Sequence, residues 1–332
     1  MKVAHLLMMR TGAYLALAAI IFGMPSCRLD TAIQAQEDFF YEQYDSKEFM
    51  VHHGRDTMRV SVAGEGPDTL VLVHGYGPLP RVQWQPTIAI MGDRKTLIVV
   101  DLIGFGESRS QDSLVSVHKQ VAMIKAMADS LNISKHHIMG HSYGGMVATL
   151  YASLHEEKIK SVVLIDPLHR HLPKSFIDSL ETAYDLPIEE ILLPGSEEAF
   201  DALTDLNMDY PWLIPDFARD RIIDELYSVN RDQRQGILHS VRESEMMLKQ
   251  DAVGADVPAL IIWGERDPLI PLATADSLLA DFPQGQLRII NGAMHLPQIE
   301  RPITFMLTIQ GFYDSLDAQD PNRRALMEAI EI

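Results

Sequence analysis

The sequence has little cysteine and little positive charge, and each shortage excludes a class of protein. Cys27 is the only cysteine in 332 residues, which excludes a disulfide within the chain and a zinc site built from cysteines. Lysine and arginine number 28 against 46 aspartates and glutamates, so the net charge is −18 and the surface repels nucleic-acid phosphates. Hydrophobic residues make up 47% of the chain, which is enough for a buried core. We therefore predict a globular protein that does not bind nucleic acid.

The amino-terminal segment differs in composition from the rest of the chain. Lys2 and Arg10 precede an apolar stretch, 11–24, that is too short for a bilayer core of about 30 Å but typical of a signal peptide. Ser26 and Cys27 follow it, and this ending resembles a bacterial lipoprotein signal. In such signals a small residue precedes a cysteine that is lipidated and becomes the new amino terminus.

This resemblance implies a location as well as a processing step. We expect a lipoprotein-type signal peptide over 1–26, lipid attachment at Cys27 and a polar tether over 27–47. The protein would then be anchored to a membrane of the bacterial cell envelope, facing the periplasm or the exterior. Two alternatives stay open, namely cleavage nearby with an incidental cysteine, and an uncleaved anchor.

Short apolar runs, each ended by a turn residue and followed by a helical pattern, recur along the rest of the chain. They lack polar alternation, which is typical of strands covered on both faces. Strands that alternate with helices predict a mostly parallel α/β sheet flanked by helices, preceded here by a hairpin over 48–52 and 58–62. The six runs are 69–74, 96–101, 137–140, 161–166, 259–263 and 286–290.

One long interval, 168–256, interrupts this alternation. It contains amphipathic helical patterns divided by prolines and no strand-like run. We predict a helical cap here, inserted into a core formed by 48–167 and 257–315 and followed by a C-terminal tail over 316–332.

The cap carries most of the chain's net negative charge, because its 19 acidic and 8 basic residues supply −11 of the total of −18. This charge predicts a field that disfavours anionic substrates, unless the acids only solvate the outer face. An aromatic cluster over 210–217 is predicted to cover a partly apolar pocket.

The strongest chemical signal is a Gly-x-Ser-x-Gly segment between a strand run and a helical pattern. It reads Gly140-His141-Ser142-Tyr143-Gly144. In this arrangement the serine occupies a sharp strand-to-helix turn that exposes its hydroxyl, and the following helix directs its positive end toward it. Glycines flank the serine because a Cβ would crowd the turn. Ser142 is therefore the predicted nucleophile.

With this segment and its neighbours, the chain resembles the α/β-hydrolase superfamily. The resemblance covers about residues 48–315, in the family's order of motifs. It implies an α/β-hydrolase fold with a helical cap, a Ser-His-Asp triad, and neither a cofactor nor a metal. The motifs lie at 74–78, 101–108, 140–145, 264–271 and 291–297.

A serine hydroxyl needs a base, and the base needs an acid to fix its tautomer. His295 follows the last strand run and lies at the family's histidine position, whereas His74 matches a loop histidine that braces the oxyanion turn. Asp267 precedes His295 and completes the order Ser, Asp, His that this fold uses. Asp166 is the alternative acid, since some relatives place theirs at that position.

The resemblance also assigns the oxyanion-hole donors and the class of reaction. The donors are the backbone N–H groups of Tyr76 and Tyr143, with Gly77 as the alternative to Tyr76. A serine at position 142 does not fit haloalkane dehalogenases or epoxide hydrolases, whose nucleophile is an aspartate. We predict a serine hydrolase that cleaves a carboxylic ester of a small-molecule acyl substrate through an acyl-enzyme.

Two kinds of alternative function stay open. The same triad could cleave an amide, an aminoacyl bond or a carbon–carbon bond. A function of another class is a ligand-binding or scaffold protein that keeps the fold without catalysis. The sequence carries no signal for the oligomeric state.

Overall fold

The structure is a computed structural model that describes residues 28–319 except 210, 212, 213, 215 and 244–249. The predicted signal peptide and Cys27 lie outside this part of the chain. Among the helices described, none is both long enough and apolar enough to cross a membrane.

A nine-stranded sheet forms the centre of the fold. The strands are β1 (Lys47–His53), β2 (Asp56–Ala63), β3 (Asp68–Val73), β4 (Lys95–Val100), β5 (Arg109–Ser110), β6 (His136–His141), β7 (Ile159–Ile165), β8 (Ala259–Gly264) and β9 (Gly285–Ile290). Their order is β1-β2-β4-β3-β6-β7-β8-β9, with β5 against β2. The β1–β2, β2–β4 and β2–β5 pairs are antiparallel, and all other pairs are parallel. The prediction of a mostly parallel α/β fold is confirmed.

Helices cover both faces of the sheet and fill the predicted cap interval. They are α1 (Leu29–Glu42), α2 (Gln85–Met91), α3 (Val117–Ser130), α4 (Tyr143–Leu154), α5 (Lys174–Tyr184), α6 (Ile188–Leu192), α7 (Glu197–Asn207), α8 (Asp216–Ile222), α9 (Arg231–Glu243), α10 (Ala275–Leu279), α11 (Pro297–Glu300) and α12 (Pro302–Gln319). A π-helical turn (Ile223–Tyr227) follows α8, and 3-10 turns occur at Val82–Trp84, Glu156–Lys158 and Leu272–Thr274.

The absence of polar alternation in the strands follows from burial on both faces. In β3, Val71 and Val73 point into one hydrophobic cluster, and Leu70 and Leu72 point into a second cluster on the opposite face. Helices α3 and α4 contribute to the first cluster, and α2 and α12 contribute to the second. Since successive side chains of a strand face opposite sides, both sets must be apolar.

The interval 168–256 contains α5 to α9 and, within its described part, no strand. Pro173 and Pro187 directly precede α5 and α6, where a missing backbone N–H does no harm. Apolar side chains such as Phe200 and Ile237 join these helices to the first hydrophobic cluster of the sheet. The interval therefore packs onto the end of the sheet where β6 and β7 terminate.

The predicted tether over 27–47 is wrong for most of its length, because residues 29–42 form α1. Leu29 and Ile33 lie on one helix face and pack in a small cluster that includes Leu226 of the cap interval. The Leu29 N–H donates a hydrogen bond to the Glu225 carboxylate. This amphipathic face, with its buried partners, is what makes the segment an ordered helix rather than a linker.

The predicted C-terminal tail begins too early by a few residues. Helix α12 continues through Gln319, so 316–319 still belong to the helix that covers the sheet. Leu316 packs against the second hydrophobic cluster, which explains why the helix extends this far.

Candidate active site

Ser142 occupies the turn between β6 and α4 in a conformation that L-residues rarely adopt. Its φ is +53°, and its N–H donates to the Ile165 carbonyl at 2.9 Å. A Cβ on Gly140 would lie 2.2 Å from the Gly144 carbonyl oxygen, and one on Gly144 would lie 2.3 Å from the His74 carbonyl oxygen. Both flanking positions therefore require glycine, because any larger residue would clash with a backbone carbonyl. The positive φ of Ser142 is a strained conformation, which persists only where the surrounding structure enforces it.

Ser142, His295 and Asp267 form a continuous hydrogen-bonded chain. The Ser142 Oγ lies 3.0 Å from His295 Nε2, and His295 Nδ1 lies 2.8 Å from an oxygen of the buried Asp267 carboxylate. The other oxygen of Asp267 accepts the N–H groups of Leu269 and Ile270 at 2.8 and 2.9 Å. The carboxylate is thus held in place and favours the tautomer with a proton on Nδ1. That tautomer leaves Nε2 free to accept the serine proton.

His74, the alternative base, has both ring nitrogens hydrogen-bonded to backbone groups. Its Nδ1–H donates to the Gly75 carbonyl at 2.6 Å, and its Nε2 accepts the Leu102 N–H at 2.9 Å. Burial lowers the pKa of His74 to about 4, so the ring is neutral at physiological pH. The Gly75 N–H in turn donates to the Gln83 side chain at 3.2 Å. Gln83 braces the turn, and no sequence pattern marked it.

Asp166, the alternative acid, does not bond to His295. It directly follows β7, is fully buried, and has a φ of +40°. One of its oxygens accepts the Gly264 N–H at 2.8 Å. Asp267, not Asp166, is therefore the carboxylate within hydrogen-bond distance of the histidine.

His141 has a contact that sequence reasoning did not anticipate. Its Nε2–H donates to the backbone carbonyl of His295 at 2.8 Å. Burial lowers the pKa of His141 to about 3, so this ring is a neutral support for the loop that carries His295.

The two predicted oxyanion donors lie beside the nucleophile. No acceptor among the described residues takes the N–H of Tyr76 or of Tyr143. A Cβ on Gly75 would lie 3.2 Å from the Ser142 Cβ, so the turn carrying Tyr76 approaches the serine closely. Gly77, the alternative, borders open space. The Tyr76 hydroxyl donates to a backbone carbonyl of α9, that of Arg234, at 2.6 Å.

A cavity of about 230 Å³ opens above Ser142 between the core and the cap interval. Two ion pairs border it, Lys174 with Asp178 and Arg242 with Glu189. The part of the chain that the structure describes contains no cluster of three or more metal-ligating side chains. Apolar residues dominate the lining, namely Met146, Leu168, Leu172, Ile177, Ile188, Leu192, Leu238, Val241, Leu269 and Ile270.

The aromatic cover predicted over 210–217 stays a prediction. Ile214, a described residue of this segment, packs against the first hydrophobic cluster. Tyr210 and Trp212 lie outside the described residues, as does the rest of the segment that would test the prediction.

Comparison with known proteins gives one family match and several similar structures. The model of the alpha/beta hydrolase family matches residues 70–307. The chain is similar to the human monoacylglycerol lipase ABHD6, with 27% identity over 269 residues and 79% of each chain covered.

Among solved structures, a bacterial membrane phospholipase A is similar with a TM-score of 0.71, 22% identity, and 95% of this chain and 99% of that chain covered. A meta-cleavage product hydrolase from Pseudomonas fluorescens IP01 gives a TM-score of 0.65 and 22% identity, covering 81% of this chain and 97% of that one. At this level of identity, both likenesses concern the fold.

Proposed function

The chain belongs to the alpha/beta hydrolase family, and from that premise we propose that this hydrolase cleaves carboxylic esters through a triad of Ser142, His295 and Asp267. The observation that carries the proposal is the pair of hydrogen bonds through His295, at 3.0 Å to the serine hydroxyl and 2.8 Å to the aspartate. A nucleophile, a base and an orienting acid in this order are the requirement for acyl transfer by serine.

The reaction follows from this geometry. His295 takes the proton of Ser142 as the hydroxyl oxygen attacks the ester carbonyl, and the tetrahedral oxyanion accepts the N–H groups of Tyr76 and Tyr143. The imidazolium, stabilised by Asp267, then gives its proton to the leaving alcohol. Water attacks the acyl-enzyme by the same steps and releases the acid. The approach of the Gly75 turn to Ser142 supports this assignment of donors.

The cavity supports an apolar acyl group as the part of the substrate next to the nucleophile. Its lining is mostly aliphatic, and its volume of about 230 Å³ lies below the range usual for drug-sized ligands. Two acids at its border are already paired, Asp178 with Lys174 and Glu189 with Arg242, and the third, Glu181, accepts the Ile188 N–H, so they are poor receptors for a substrate ammonium group. This favours an ester over an aminoacyl amide. The similarity to a human monoacylglycerol lipase is consistent with such a substrate.

An active-site probe and a substrate panel test the proposal together. A fluorophosphonate should label the wild-type protein and not Ser142→Ala, and an unlabelled wild type would favour a non-catalytic protein. Esters of p-nitrophenol with graded acyl chains should be cleaved faster than matched thioesters, aminoacyl amides and vinylogous diketones. A faster amide or carbon–carbon cleavage would replace the ester assignment.

The acyl-pocket assignment has its own variant. Leu192→Trp should reduce kcat/KM most for the longest ester, because Leu192 lines the cavity and the larger ring fills part of it. Leu154→Trp, at a site that is 46% exposed and outside the lining, is the matched control. Equal effects of Leu192→Trp on short and long esters would remove the acyl chain from this cavity.

We also propose that Cys27 is lipidated and that the protein is anchored at the bacterial cell envelope. The support is the charged start, the apolar stretch and the Ser26-Cys27 ending. Arg28 alone separates Cys27 from Leu29, whose N–H is bound by Glu225, so a lipid at Cys27 would hold the cap near the membrane surface. Mass spectrometry of the native protein should show an acylated amino-terminal cysteine. Cys27→Ala should appear in the soluble fraction or retain its signal peptide, and an unmodified thiol in soluble native protein would contradict the proposal.

A further inference from the structure

Two buried carboxyl groups lie at the acid end of the proposed triad, and one of them has no counter-ion. Asp166 accepts the Gly264 N–H through one oxygen, whereas no N–H or O–H of a described residue donates to the other. No described cation forms an ion pair with it, and the charges that act on it most strongly are those of the Asp267 and Glu300 carboxyls. An ionised carboxylate here would be buried without a counter-ion, which is strongly unfavourable.

We infer that Asp166 is a protonated carboxylic acid whose O–H donates to the Asp267 carboxylate, which makes Asp166 a positioning residue for the triad. The Gly264 N–H that Asp166 accepts belongs to the turn that carries Asp267, because the Asp267 N–H donates to the Gly264 carbonyl at 3.2 Å. Two adjacent carboxyl groups can share a hydrogen bond only through a proton. Burial, the charge of Asp267 and this hydrogen bond all raise the pKa of Asp166 well above its ordinary value.

The proton on Asp166 gives Asp267 a donor without adding a charge. Asp267 already accepts the N–H groups of Leu269 and Ile270 and the ring of His295, and the Asp166 hydroxyl is a fourth contact. Second partners of this kind fix the orientation of a functional carboxylate. Were Asp166 ionised, two negative charges would face His295 and would stabilise the imidazolium in the resting enzyme. A neutral Asp166 avoids this and leaves the ring available as a base.

Asp166→Asn and Asp166→Ala test whether position 166 supplies a hydrogen-bond donor or only fills space. The expected changes in activity rest on the proposed triad. Asparagine can accept the Gly264 N–H, donate an N–H to Asp267, stay neutral and tolerate the φ of +40° at position 166. Asp166→Ala should lower kcat/KM by roughly ten- to a hundredfold, as loss of an outer partner does at other sites. Asp166→Asn should recover most of that loss. The pH midpoint of the acidic limb of kcat/KM should be the same in Asp166→Asn and wild type.

Three results would overturn the inference. An acidic-limb midpoint that moves to lower pH in Asp166→Asn would mean that a negative charge had been removed. An asparagine variant as impaired as the alanine variant would mean that a donor is not what position 166 supplies. An alanine variant as active as wild type would remove the positioning role.

Infrared spectroscopy of the whole protein tests the proton without using activity. Burial raises the pKa values of Glu37 and Asp101 to about 7. Both groups are therefore ionised at about pH 8.5, where the spectrum is recorded. A carboxylic-acid C=O band should remain in wild type and disappear in Asp166→Asn. Its absence from wild type would overturn the inference even with an intact triad, whereas its presence with an unreactive Ser142 would overturn only the proposed function.

Discussion

The core and the cap of this protein are held by different interactions, and the difference separates reaction from specificity. In the core, the proposed catalytic side chains are joined by hydrogen bonds of 2.8 and 3.0 Å, and the buried Asp267 is also held by two backbone N–H groups. The cap is held by apolar packing and by ion pairs such as Lys174 with Asp178, whose side chains are at least half exposed. Exposed pairs contribute little to stability. The core therefore fixes the geometry of the chemistry, and the cap can vary in shape where it does not contact the catalytic loops.

Hydrogen bonds and ion pairs join the two regions at several points. The Tyr76 hydroxyl of the core bonds to the Arg234 carbonyl of α9, and Asp281 of the core pairs with Arg170 and His171 at the start of the cap. Helix α1 also contacts the cap through Leu29. Of these contacts, the one through Tyr76 involves a residue next to the nucleophile, so a change in the cap could reach the reaction there.

The largest effects should come from the core. Ser142→Ala and His295→Ala should each lower kcat about 10⁴-fold or more on an ester substrate, and the double variant should lose little beyond that, because the residues act as a unit. Steady-state kinetics with far-UV circular dichroism as the fold check measures this. Ser179→Ala, which removes an exposed cap hydroxyl bonded to the Ser175 carbonyl, is the matched control and should keep wild-type rates. Additive losses in the double variant would contradict a shared mechanism.

Asp267→Asn should be nearly as damaging, with a loss of about 10⁴-fold in kcat. An amide at this position can donate to His295 Nδ1, which would favour the tautomer that cannot accept the serine proton. Asp314→Asn, at an exposed site on α12, is the control for loss of a carboxylate. A small loss for Asp267→Asn would mean that the acid of the triad is elsewhere and would weaken the contrast between core and cap.

The core was easier to predict from the sequence than the cap and its contacts. The strands and the turn at Ser142 carry local patterns, since two-sided burial demands continuous apolar runs and a tight turn demands glycine at 140 and 144. The residues predicted for the triad are those that the structure brings within hydrogen-bond distance, while their roles stay a proposal. They were selected by their places after strand runs together with the resemblance to the α/β-hydrolase superfamily, and Asp166 stayed open as the alternative acid.

What could not be predicted depends on contacts between distant parts of the chain. Tyr76 bonds to a carbonyl 158 residues later, and Leu29 bonds to a carboxylate 196 residues later. The sequence analysis did not predict helix α1 for this reason, since its apolar face is recognised only once its packing partners in the cap interval are known. The protonation of Asp166 was missed because it depends on what surrounds the side chain and not on its neighbours in sequence.

A smaller effect should come from removing the hydrogen bond by which Tyr76 of the core contacts the cap. Tyr76→Phe removes the hydrogen bond to the Arg234 carbonyl, at 2.6 Å, and leaves the ring against Phe105 and Tyr143. The turn that carries the proposed oxyanion donor would be less firmly held, so kcat should fall about tenfold, below the loss of about a hundredfold or more seen when a donor is deleted outright. KM should change little. Tyr184→Phe in α5 is the control for loss of a cap hydroxyl, and an unchanged kcat in Tyr76→Phe would mean that the core holds the turn unaided.

The smallest effect should come from the charge of the cap. Its 19 acidic and 8 basic residues predict an attraction for cationic substrates, but two acids at the border of the cavity, Asp178 and Glu189, are already neutralised by Lys174 and Arg242. At low salt kcat/KM for a cationic ester should therefore exceed that for a matched anionic ester by only about threefold, the size of one exposed charge interaction. The ratio should fall toward one at about 0.15 M salt, where screening limits exposed charges to about 8 Å. Asp178→Asn frees Lys174 and should reduce the ratio at low salt. Equal rates for the two esters at low salt would mean that the acids only solvate the outer face of the cap.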